Sequence, residues 1–160
     1  MLAQASVERL PFAANSVDMI FTDPPYLREY LPAYGWLAAE AMRVLKPGGF
    51  VLAMCGGAYI NRIFGMFDAA GLAFYWQYQL EMVDQATGIY WPRGNNRVHV
   101  SVRQKSVIAY SKGESLARTC TTGKFRSNGG DKRFHFWGQD VASARYYIDC
   151  FSEPGDLILD

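Results

Sequence analysis

Apolar runs and helical periodicities alternate along the first half of the chain. Val17 to Phe21 is a short, mostly apolar run that stops at Thr22-Asp23-Pro24-Pro25-Tyr26. Two prolines end any strand, so the run predicts a buried strand feeding a rigid loop. From Leu31 to Leu45 the apolar residues fall at 31, 34, 37, 38, 41, 42, 44 and 45, close to helical spacing. Lys46-Pro47-Gly48-Gly49 ends that stretch, because a residue before proline avoids the helical region. Phe50 to Met54 predicts a second buried strand, and Cys55-Gly56-Gly57 breaks it. Ile60, Ile63, Phe64 and Phe67 line one face of a further helix that stops at Gly71. This alternation predicts an α/β layer fold with parallel strands.

The period then changes. Phe74, Trp76, Tyr78, Leu80 and Met82 alternate with Tyr75, Gln77, Gln79 and Glu81, which predicts a long strand with one less apolar face. Val98 to Val102 and Ser106 to Tyr110 are further strand candidates, and an antiparallel strand near the sheet edge accounts for the change. Lys112 to Asp131 has little apolar content and reads as a long surface loop. Asp140 is expected to cap a helix whose face is Val141, Ala144, Ile148 and Phe151. Pro154-Gly155 breaks it before one more apolar strand, Leu157 to Leu159. No linker divides the chain, so residues 1–160 are expected to form one domain.

The composition supports a packed core. Of 160 residues, 50% are hydrophobic and 15% aromatic, which excludes a disordered or fibrous chain. No apolar run approaches the ~18 residues of a membrane span, and the N-terminus lacks a signal-peptide pattern. Cys55, Cys120 and Cys150 form no CxxC and read as thiols of a reducing compartment, so a cytoplasmic protein without membrane contact is expected. His99 and His135 lack metal-ligand spacing, which argues against a metal site. The net charge of +1 is uninformative, but its distribution is not. Residues 93–145 hold 11 Lys/Arg against 3 acids, and a patch of that sign suits a polyanion.

Asp23-Pro24-Pro25-Tyr26 carries the chemistry. Ligands of an α/β sheet bind at the carboxyl ends of its strands, where this segment is expected. An aromatic amino group is a poor nucleophile, because its lone pair is delocalised into the ring. The Asp23 carboxylate can accept one of its N–H bonds and the Pro24 carbonyl the other, favouring a tetrahedral, more nucleophilic nitrogen. The prolines hold those acceptors in place, and Tyr26 offers a face on which a flipped-out base can stack, worth ~1–3 kcal/mol.

On these residues the chain resembles the amino-methylating DNA methyltransferases that use S-adenosylmethionine. Ser16 to Tyr26 is similar to the family's catalytic strand and loop, and Arg43 to Phe50 to its next helix end and strand. Ser106 to Gly113 is similar to its late edge strand. His135 to Gln139, the helix after it, and Pro154 to Asp160 resemble the segment leading into the cofactor strand. The resemblance implies a Rossmann-like methyltransferase fold in three layers, with a mostly parallel sheet and an antiparallel edge strand. Only 22 residues precede Asp23 and none is glycine, while the cofactor strand comes last. This order resembles the permuted beta class, and DPPY resembles the adenine-N6 enzymes more than the cytosine-N4 ones.

The implied activity is transfer of a methyl group from S-adenosylmethionine to adenine N6 of double-stranded DNA, as in restriction-modification systems. The implied catalytic residues are Asp23, Pro24, Pro25 and Tyr26, with Asp23, Trp137, Gln139 and Asp160 at the cofactor. A basic surface region over about 84–135 is expected to face DNA, with Arg93, Arg97, Lys124 and Arg126 as its contacts. The alternatives are a truncated, inactive methyltransferase that only binds nucleic acid, and cytosine-N4, RNA or protein-amide methylation. Family members continue beyond the position of Asp160 with a glycine loop around the cofactor. The chain therefore reads as a catalytic domain incomplete at its C-terminus, with five of roughly seven strands. Weak cofactor binding, and a homodimer through the unpaired edge of the last strand, are expected from that reading.

Overall fold

The computed structural model describes residues 6–81, 104–115, 122–127 and 141–160. Six strands among them form one sheet in the order β5-β3-β4-β2-β1-β6. The strands are β1 (Val17–Thr22), β2 (Leu45–Cys55), β3 (Ala73–Glu81), β4 (Gln104–Ser111), β5 (Lys124–Arg126) and β6 (Ile158–Leu159). Three helices accompany them, α1 (Leu31–Val44), α2 (Ile60–Ala69) and α3 (Val141–Phe151). Pairings β1–β2, β1–β6 and β3–β5 are parallel, whereas β4 is antiparallel to both of its neighbours. Five strands thus point one way and β4 the other.

Both faces of the sheet are covered, which is why the central strands are apolar runs rather than alternations. Val17, Ile20, Val51, Ala53, Ile108 and Tyr110 pack with Tyr34, Leu37 and Ala41 of α1 and with Ile63 and Phe67 of α2. On the other face, Met19, Phe21, Phe50, Leu52, Met54, Val107 and Ala109 pack with Tyr147 and Phe151 of α3. The expected three layers and mostly parallel sheet are present. No described helix is long and apolar enough to cross a membrane.

Several expectations need correction. The antiparallel strand does not lie at the edge. β4 is inserted between β2 and β3, because its residues 106 to 111 are buried on both faces and need neighbours on both sides. An edge is formed instead by β5, inside the stretch expected to be loop. Three residues are too short to show a period, yet Phe125 alternates with exposed Lys124 and Arg126 and stacks on Tyr146 at 4.6 Å between ring centres. Six strands are described where five were expected.

The β3 alternation breaks at a bulge between Phe74 and Trp76. Phe74 packs on Phe64 and Tyr110, Tyr75 turns to Phe50 and Phe151 on the opposite face, and Trp76 remains exposed. On α3 the buried residues are Ser143, Tyr147 and Phe151, while Val141 is exposed. Tyr147, stacked on Phe21 and edge-on to Tyr78, sets that face. The expected strand at 98–102 and the cap at Asp140 lie outside the described residues.

At the opposite end from the strands' carboxyl ends, Gly49 lets β2 approach β1. A Cβ there would stand 2.8 Å from the Asp18 carbonyl oxygen. Beside it, Lys46 Nζ donates to both oxygens of Asp18 at 2.7 and 2.8 Å, and the Leu157 N–H donates to Asp18 Oδ2 at 3.0 Å. This one carboxylate therefore ties β1 to β2 and to the residue that leads into β6.

Candidate active site

The parallel strands β1, β2 and β6 end on one rim of the sheet. Antiparallel β4 begins on that rim, so it brings Lys105 to the place where β1 releases Asp23. Four segments meet there: Asp23 to Tyr26 after β1, Cys55 and Gly56 at the end of β2, Lys105 at the start of β4, and the residues around Asp160 after β6.

Tyr26 is turned back on its own loop, and its hydroxyl donates to Asp23 Oδ1. Burial, with Asp23 close by, pushes the Tyr26 phenol well above its ordinary range, so it remains a donor. Lys105 Nζ lies 3.2 Å from Asp23 Oδ2 and 5.2 Å from the centre of the Tyr26 ring. Tyr26 rests against Gly56, where a Cβ would come within 3.3 Å of the Tyr26 Cβ.

Tyr34, in the first turn of α1, fixes the loop from below. Its buried hydroxyl donates to the Met54 carbonyl at 2.9 Å and lies 3.4 Å from the Pro24 carbonyl oxygen. Burial raises its pKa as well. The Cys55 thiol is pushed up to about 12 by burial and then by the charge of Asp23, so it stays protonated and unreactive.

A cleft of about 260 Å³ opens beside the loop on the α3 face. Phe21, Met54, Ala144, Ile148, Ile158 and Leu159 give it apolar walls, and Asp23, Asp160 and Ser143 give it polar groups. Partial burial and the charge of Asp23 raise the pKa of Asp160. The cleft thus sets two carboxylates, one of them already paired with Lys105, against apolar walls.

Of the residues anticipated at the site, Asp23, Pro24, Pro25, Tyr26 and Asp160 come together on this rim. Lys124 and Arg126 are exposed on β5. The register aligns Lys105 with Leu80 and Leu80 with Phe125, so β5 lies two strand spacings, ~10 Å, from Lys105. Lys124 pairs with Glu81 at 3.1 Å. Trp137, Gln139, Arg93 and Arg97 lie outside the described residues. Tyr34, Gly56 and Lys105 were not anticipated. In the sequence Tyr34 is only one apolar position on a helix face, and Lys105 only one charge in a basic stretch.

Comparison with known proteins agrees with this architecture. A family profile described as a methyltransferase domain matches residues 1–53. No curated protein matches the chain. Among solved structures, the cytosine-N4-specific PvuII DNA methyltransferase superposes with a TM-score of 0.74 at 19% identity, over 92% of this chain and 68% of that one. TTHA0409 of Thermus thermophilus, provisionally assigned as a DNA modification methylase, gives 0.69 at 16% identity over 94% and 73%. M1.HpyAVI in complex with SAM gives 0.61 at 20% identity over 91% and 72%. The fold is methyltransferase-like. At these identities the likeness extends to the fold alone.

Proposed function

We propose that the chain is the catalytic part of a DNA methyltransferase that methylates the exocyclic amino group of a flipped-out base, with adenine N6 as the target. The observation that carries this reading is the Asp23 to Tyr26 loop at the carboxyl end of β1, opening onto a cleft with two carboxylates. Names of the structural neighbours favour DNA as the substrate and SAM as the cofactor. Cytosine N4 is the second reading, because the PvuII enzyme acts there and both bases present the same NH₂ group to a carboxylate.

The residues fit S-adenosylmethionine. Asp23 and Asp160 would hold its cationic portion, with Phe21, Ile148 and Ile158 against its apolar atoms. When bound, the cofactor supplies an electrophilic methyl group. The chain's own residues prepare the acceptor. Asp23 accepts an N–H bond of the base, raises electron density on that nitrogen and stabilises the positive charge that develops there, and loss of one N–H proton to solvent then gives the neutral methylated amine. The Pro24 carbonyl is the second acceptor, and Tyr34 restrains its loop. Tyr26 steadies the carboxylate through its hydroxyl and offers its ring for stacking.

The test uses DNA and S-adenosylmethionine with an isotopically labelled methyl group, followed by digestion to nucleosides and mass spectrometry. Labelled N6-methyladenine, lost in Asp23→Ala while duplex binding persists, is the expected result. Labelled N4-methylcytosine moves the assignment to the second reading. Equal incorporation by Asp23→Ala, or none although calorimetry shows the cofactor bound, overturns the proposed chemistry.

A further inference from the structure

Lys105 makes, within the chain, both of the contacts that a target base would need. Its ammonium stands against Asp23 Oδ2 at 3.2 Å, where a donor N–H belongs. The same ammonium is 5.2 Å from the centre of the Tyr26 ring, near the surface on which a base would stack. It is well shielded for a lysine, with a side chain only 19% exposed. The second oxygen of Asp23 takes the Tyr26 hydroxyl. A primary ammonium and an aromatic amino group are both N–H donors, so each satisfies the carboxylate in the same way.

We propose that Lys105 is a built-in occupant of the amino-group site, held on Asp23 and Tyr26 until the amino group of a base displaces it. The inference rests on the base-amine reading above and deepens it. Two physical arguments support displacement over coexistence. First, a base stacked at van der Waals distance on Tyr26 competes for the space now taken by the ammonium. Second, positive charge builds on the base nitrogen during methylation. A lysine cation 3.2 Å from Asp23 opposes that charge, so the productive arrangement has Lys105 moved away. Its four-carbon stem allows this without moving β4. While in place, Lys105 keeps the Asp23 charge compensated beside Asp160, so the loop stays assembled between turnovers.

Binding without cofactor tests the proposal independently of activity. The full chain is titrated with dye-labelled single-stranded oligothymidylates carrying one central test base. Adenine is compared with purine, and cytosine with 2-pyrimidinone, so each pair differs only by the exocyclic amino group. The ratio of dissociation constants within a pair measures amino-group recognition. Lys105→Met removes the occupant, and the ratio is expected to rise at least 3-fold over wild type. Lys105→Arg keeps a cation and should stay near the wild-type ratio. Lys105→Gln is a second neutral variant, read the same way if Lys105→Met melts early. A wild-type ratio above one that is unchanged or lower in a folded neutral variant overturns the displacement and leaves the base-amine reading standing. Ratios of one in wild type, in the neutral variants and in Asp23→Asn alike overturn both.

Discussion

The Tyr34 hydroxyl couples the loop after β1 to the end of β2, since it donates to the Met54 carbonyl and lies against that of Pro24. Tyr34→Phe keeps the ring in the core and removes only the donor. The expected cost is about 1 kcal/mol, the net value of a buried hydrogen bond, read from urea unfolding. Loosening of the loop should also lower the amino-dependent binding ratio. Gly56 acts from the other side. Its φ of −79° suits alanine, so Gly56→Ala meets no backbone strain. The new methyl group would stand 3.3 Å from Tyr26 Cβ and 3.5 Å from Cγ, a close contact that requires the ring to shift by a few tenths of an ångström. Melting within a few degrees of wild type, with a several-fold lower amino-dependent ratio, is the expected outcome. An unchanged ratio would show that the seat of Tyr26 does not govern stacking.

At the scale of elements, the strands meet at Asp18 through side-chain chemistry as well as through the ladder. Hydrogen bonding to Lys46 holds the Asp18 carboxyl below its usual range, with a smaller contribution from the Leu157 N–H. A depressed folded-state pKa gives stability that is present above the unfolded value of ~3.9. It is lost as the pH falls through the folded value. The stability gap between wild type and Asp18→Asn should therefore be open at pH 6 to 7 and close below pH 4. Because Lys46 is half exposed, the gap should be at most about 1 kcal/mol. Denaturant titrations at several pH values check this, and a gap that widens on acidification contradicts it. Elements were legible where one pattern governed them. Runs buried on both faces marked β1 and β2, a 3.6-residue period marked α1 and α2, and the DPPY string after an apolar run marked the loop. The β3 bulge shifts its phase at Phe74, and β5 is too short to have a period. Lys105 and Tyr34 acquire roles only from strand order and from how a helix start meets a strand end. A linear pattern does not contain those relations.

For the whole molecule, the rim that carries the loop also carries β5, so on the proposed reading this is the face where DNA is expected. Lys124 and Arg126 flank Phe125, whose stacking on Tyr146 anchors both cations to α3 at ~10 Å from Lys105. The two should not contribute equally. Lys124 is shared with Glu81, so a phosphate must compete for it, whereas Arg126 is exposed on the outer strand. Each phosphate neutralised steepens the dependence of log affinity on log salt by ~0.9. Arg126→Ala should therefore flatten that slope by nearly one full contact, and Lys124→Ala by clearly less. Glu81→Gln should steepen it, because it frees Lys124. Anisotropy titrations of a labelled duplex of about 20 base pairs, between about 50 and 200 mM salt, would measure all three. Neutral substitutions on a mere solvated edge would leave the slope unchanged. Slopes unmoved by Arg126→Ala and Glu81→Gln together would place the DNA on another face and separate the basic strand from the Asp23 loop.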